Sequence, residues 1–173
     1  MSIKKVTILY VLAFLLQLSV INLFSIGGIA PNLIFCLTVF ICFRFSLGYR
    51  CVPFALVASL LLDTCAGNYV GLSALALFLT CIFVIWVKYY MNTDLLKTLL
   101  ATGAVATIVY GLLYWIMAAI MKFEYSLVYV LQHQIFYIVY NLIVMSILWL
   151  FYSNVYARWK LRGGAPDKEE DSI

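Results

Sequence analysis

Long apolar runs separated by short polar edges make up almost the whole chain. Residues 6–43, 51–62, 64–87, 98–121 and 125–157 carry no Asp, Glu, Lys or Arg. The first run exceeds the roughly 20 residues that one membrane span needs. Gly27-Gly28-Ile29-Ala30-Pro31 divides it, because glycine supplies a turn and proline suits the first turn of a following helix. The pattern predicts helix 1 over about 6–24 and helix 2 over about 31–47. The edge from Arg44 to Arg50 contains Gly48. Helix 3 then runs over about 51–64, with Pro53 near its start. The stretch Asp63-Thr64-Cys65-Ala66-Gly67-Asn68-Tyr69-Val70-Gly71 is turn chemistry inside an apolar region. Helix 4 follows over about 71–90, and Asn92-Thr93-Asp94 offers an N-cap for helix 5 at about 95–121. The last run is longer than one span requires. Its Gln132-His133-Gln134 cluster predicts a short interfacial helix over about 125–133 and helix 6 over about 134–153.

The expected fold class is therefore an all-α integral membrane protein. Residues 1–157 form a six-transmembrane-helix bundle, and a basic, then acidic cytoplasmic tail over 158–173 stays disordered. Composition agrees: of 173 residues, 66% are hydrophobic and 10% charged, with a mean hydropathy of +1.08. Soluble domains carry about 25% charged residues. A soluble catalytic domain, a nucleic-acid-binding module and a disulfide-stapled secreted fold are excluded on these grounds.

Charge placement sets the orientation. With the N-terminus inside, ten of the 11 Lys and Arg residues fall on cytoplasmic edges and only Lys122 falls outside. That is the positive-inside asymmetry. Merging helices 3 and 4 would move Lys88 and Lys97 outside, so the asymmetry also favours six spans. Helix 1 is expected to be a retained span, since its apolar core is too long for a signal peptide.

Little in the sequence suggests chemistry. The five cysteines are scattered without a C-x-x-C pair and read as small hydrophobes, with no disulfide framework or metal site. The one histidine, His133, sits beside two glutamines as an interfacial hydrogen-bonder. Asp63 is the one acid expected within a span, whereas acid–base catalysis by paired carboxylates needs two. No enzyme activity and no cofactor are expected.

Asp63 is the most informative residue. It lies 13 residues after Arg50, roughly 20 Å of helix against a hydrocarbon core of about 30 Å. A lone charge at that depth costs at least about 2.5–3.5 kcal/mol, so it must face protein or water. Ala55, Ser59 and Asp63 recur every four residues and form one small-residue face that admits a close neighbour. Asp63 then either satisfies the broken backbone around Gly67 and Gly71, capping helix 4, or binds a ligand or partner residue in an outward cavity. Helix 5 carries a second stripe, Gly103, Thr107 and Gly111, for contact within the chain or with another one. The Tyr89-Tyr90 and Tyr152-Tyr156-Trp159 groups read as interfacial anchors, and Arg158 to Arg162 as a basic edge that favours anionic membrane lipids or simply follows from topology.

The run Ala30-Pro31-Asn32-Leu33, then Gly48, Ser59-Leu60-Leu61-Leu62-Asp63, Gly67 and Gly71-Leu72-Ser73-Ala74-Leu75 resembles the rod shape-determining MreD family. Length and span count fit as well. Asn32 stands where the family usually has an acid, and Ser59 where it often has glycine. The resemblance implies a non-enzymatic membrane component of the bacterial machinery for lateral cell wall. It would associate with MreC, a single-span partner, and through it with MreB filaments, RodA and a class B penicillin-binding protein. It also implies a fold similar to the substrate-binding (S) components of energy-coupling-factor transporters. On this expectation a partner's span packs into grooves lined by the small stripes, and the outer rim near Asp63 and Gly71 is a candidate contact. An S component of a vitamin transporter is the alternative reading. Such subunits typically dock through a small-residue stripe in helix 1, where this chain has a single alanine, Ala13, between Val6 and Leu15.

Overall fold

The computed structural model describes residues 3–19, 30–46, 48–65, 70–91, 95–121 and 127–161, the last helix at side-chain level over 131–155. Among these residues the structure is almost wholly helical, with no strand. The order is α1 (Ile3–Ser19), α2 (Leu33–Arg44), a 3-10 turn (Gly48–Cys51), α3 (Val52–Cys65), α4 (Leu72–Tyr90), α5 (Leu96–Ile120) and α6 (Leu127–Leu161). Four stretches, Gly48–Cys65, Leu72–Tyr90, Leu96–Ile120 and Leu131–Val155, are long and apolar enough to cross a membrane.

Helix α2 is the centre of the bundle. Its sequence, LIFCLTVFICFR, is apolar on every side except for Thr38 and the terminal Arg44, and each residue from Ile34 to Phe43 is buried. A helix apolar all round belongs in an interior, and α2 packs against all five other helices. The Thr38 hydroxyl donates to the Ile34 carbonyl at 2.6 Å and lies 2.8 Å from the Tyr10 hydroxyl of α1. The surrounding helices turn aliphatic side chains outward. On α6, Ile135, Val139, Ile143, Ile147 and Leu150 are more than half exposed, as suits a surface solvated by lipid tails.

Several boundaries differ from the sequence expectation. Helix α2 has 12 residues, about 18 Å long, and not the 17 expected over 31–47. At its end Phe45 turns extended (φ −101°, ψ 138°) while its amide still donates to the Ile41 carbonyl. The chain then folds back so closely that a Cβ on Gly48 would lie 2.7 Å from the Cys42 Cα. Helix α6 is one unbroken helix of 35 residues, so Gln132-His133-Gln134 does not divide an interfacial helix from a span. Glutamine and histidine do not break helices when their side chains find partners, and Gln134 finds one on α5. The N-cap of α5 is Leu95, with no side-chain cap hydrogen bond, in place of the expected Asn92-Thr93-Asp94. Those three residues, Gly27-Gly28, Gly67 and residues 162–173 of the tail lie outside the described residues.

Candidate functional site

The polar side chains of the bundle gather at three places. The first joins α3 to α4. Asp63 is 1% exposed at the inner face of α3, in line with the buried Ala55, Ala58 and Ser59. Its Oδ2 accepts from the amides of Gly71 at 3.0 Å and Ser73 at 3.3 Å, and its Oδ1 accepts from the Ser73 hydroxyl at 2.5 Å. Gly71 is the N-cap of α4 and sits in the left-handed region at φ 95°, which side chains other than glycine and asparagine avoid. It therefore has no side chain to cap the helix, and the carboxylate of Asp63 takes that role. A negative charge at a helix N-terminus is favoured by the helix dipole as well.

The second place is the start of α2. At Pro31 and Asn32 the helix starts, and its first amides have no intrahelical acceptors. Three side chains serve instead. Gln17 of α1 accepts from the Leu33 amide at 2.7 Å and donates to the Pro31 carbonyl at 3.0 Å. The Asn32 side chain accepts from the Phe35 amide at 3.0 Å, and the Asn32 amide donates to Asn141 Oδ1 of α6 at 3.2 Å. Asn141 continues to the Thr107 hydroxyl of α5 at 3.4 Å, which itself donates to the Gly103 carbonyl at 2.8 Å. Gln134 of α6 donates to the Thr107 carbonyl at 2.6 Å.

The small stripes are thereby filled within the chain. Gly103 faces Met145 and Leu142 of α6, and a Cβ on Gly111 would collide with the Gln134 side chain, 2.7 Å from its Cδ. Thr107 is buried between them. The α5 stripe is the seam with α6, and the α3 stripe is buried inside the bundle. Neither is open to a partner's span, which corrects the expectation of partner grooves along them. The sequence pattern did not single out Gln17 or Asn141, and it placed Gln134 in an interfacial cluster rather than in a helix contact. Their signal was present as amide side chains in otherwise apolar helices, where an unpaired amide is costly.

The third place is the end of the bundle that carries Lys88. Its Nζ donates to the carbonyls of Cys42, at 3.3 Å, and Phe45, the last acceptors of α2. Beside it the Arg44 guanidinium lies 5.3 Å over the ring of Tyr152.

One cleft, of about 420 Å³, opens at the opposite end between the start of α4 and the end of α5. Val70, Gly71, Leu72, Leu75, Met117, Ile120 and Met121 line it. It adjoins the Asp63 cap, yet the carboxylate is turned to Gly71 and Ser73 and does not line it. Among the described residues the cleft is lined by apolar side chains and Gly71, with no charged group. Among the described residues no group of three or more His, Cys, Asp or Glu is arranged to hold a metal. Comparison of the chain with protein families, with curated proteins and with solved structures gives no match.

Proposed function

We propose that this chain is a non-enzymatic, six-span scaffold of the bacterial cytoplasmic membrane, with both termini cytoplasmic, that serves the cell-elongation complex in the manner of MreD. The short α2 and the N-terminal α1 supply two spans beside the four long ones, in an arrangement like that of the S components. The scaffold holds an MreC-like single-span protein and, through it, helps organise RodA, a class B penicillin-binding protein and MreB filaments for lateral peptidoglycan synthesis.

One observation carries the reading. Three of the residues within the runs that resemble MreD, Asp63, Gly71 and Ser73, meet in a single contact that sets where α4 begins. A motif spent on shaping the bundle, its carboxylate held by the start of α4, suits a protein that works by its surface. The partner contact on this reading is the apolar cleft above that motif, beside the rim near Asp63 and Gly71 and away from the filled stripes.

A photo-crosslinking residue at Leu75, which lines the cleft, tests the proposal in living cells. The reading expects a single-span MreC-like protein to be captured there and not from position 147 on the lipid-facing side of α6. Capture from both positions alike, or of no such protein from 75, contradicts it.

A further inference from the structure

We propose that Asp63, which does not line the cleft between α4 and α5, sets its shape and so controls what it admits. Asp63 is on this account a positioning residue. The inference deepens the scaffold reading by giving its contact surface a control point, and it rests on that reading for the occupant alone.

The two walls of the cleft are held in different ways. Met117, Ile120 and Met121 form one of them. They belong to the end of α5, where the Met121 amide donates to the Met117 carbonyl at 3.1 Å and Ala118 is buried. A closed helical turn of this kind keeps its own shape. Val70, Gly71, Leu72 and Leu75 form the other wall. The first two precede α4, and the amides at a helix start have no carbonyl of their own helix to meet. The Gly71 amide goes to Asp63 at 3.0 Å, and the Gly71 carbonyl receives the Leu75 amide at 2.9 Å. Among the described residues, the carboxylate of Asp63 is the acceptor that pins this wall.

Glycine makes the dependence strong. A free glycine takes positive and negative φ about equally, and Gly71 is fixed at φ 95°. Side-chain packing does not fix it, because even an added Cβ would come no nearer than 3.8 Å to Leu60 Cδ2. The hydrogen bond to Asp63 does, and the bonds from the Ser73 amide and hydroxyl hold the turn that follows. Val70 and Leu75 move with Gly71, one as its chain neighbour and the other as its hydrogen-bond partner. Both are more than half exposed, whereas Asp63 is 1% exposed. An occupant therefore meets the wall and not the carboxylate behind it.

The test places spin labels on the two walls, at Val70→Cys and Ile120→Cys, in the full chain with the exposed Cys65 replaced by serine. Dipolar broadening in frozen detergent solution reads the distance across the cleft. A single narrow distance is expected with Asp63 in place. Asp63→Ala should spread it widely, and Asp63→Asn, which keeps one acceptor oxygen, should spread it less. Asn141→Leu, which disturbs the start of α2, should leave it narrow. An unchanged distance in Asp63→Ala, or an equal spread in Asn141→Leu, overturns the proposal. Should Asp63→Ala fail to fold, Asp63→Asn decides on the same terms.

In cells, photo-crosslinking from position 75 should fall several-fold in Asp63→Asn and persist in Asn141→Leu. Equal capture in both variants overturns the link between the shape of the cleft and its occupancy. Failure of the wild type to capture a single-span protein contradicts the scaffold reading instead, and the spin-label distances then still decide the role of Asp63.

Discussion

Asp63 and Gly71, eight residues apart, are joined by a hydrogen bond of 3.0 Å from the glycine amide to the carboxylate. Around that bond the chain leaves α3 and starts α4, and the carboxylate takes the place of the cap that a glycine cannot provide. A charge that would be costly in an apolar setting is thus held by three donors.

Asp63→Ala leaves two backbone amides and a hydroxyl without an acceptor, and should cost about 3 kcal/mol of stability. Asp63→Asn keeps one acceptor oxygen and should cost about half as much. Unfolding of both variants in detergent checks the order. Equal losses would show that the charge alone, and not the set of donors, is what Asp63 supplies.

Gly71 has room for a methyl group, since its nearest foreign atom would be Leu60 Cδ2 at 3.8 Å, but not the backbone conformation for one. Gly71→Ala should therefore cost about 1–2 kcal/mol as left-handed strain, and Gly71→Asn distinctly less. The same unfolding assay separates them. If asparagine destabilises as much as alanine, the cause lies outside the backbone conformation.

Gly111 differs from Gly71, because there the constraint is space. Gly111→Ala should push Gln134 off the Thr107 carbonyl. In the double variant with Gln134→Ala the clash has nothing to act on. A double-mutant cycle should show coupling of about 1–2 kcal/mol in the direction of rescue. Strict additivity would mean that the two helices do not meet at this pair.

The helices were legible from the sequence because uninterrupted apolar runs have few alternatives in a membrane. Helix α4, for instance, starts and ends within a residue of the expectation. The inward placement of Asp63 was legible too, since a charge at that depth has nowhere else to go. The fate of the small stripes was not. A spacing of four tells that a helix can be approached closely, and says nothing of whose helix approaches. The continuity of α6 was misread for a related reason. Gln134 looks like an interfacial residue until the Thr107 carbonyl that receives it is known. Asn32 and Asn141 lie 109 residues apart, and no local pattern links them.

Asn141→Leu preserves size and removes the acceptor for the Asn32 amide. It should cost about 2 kcal/mol and speed hydrogen exchange in the first turn of α2, over 32–36, more than in α4. Exchange that rises uniformly along the chain would contradict a local role at that helix start.

The central claim is that the bundle acts by holding other membrane proteins. Its most direct test is affinity purification of the tagged chain from its own membranes in mild detergent, with companions identified by mass spectrometry. The account predicts recovery of a single-span MreC-like protein together with wall synthases. Recovery of a membrane coupling subunit with paired ATPases would contradict it, and would make the chain a substrate-capture subunit instead.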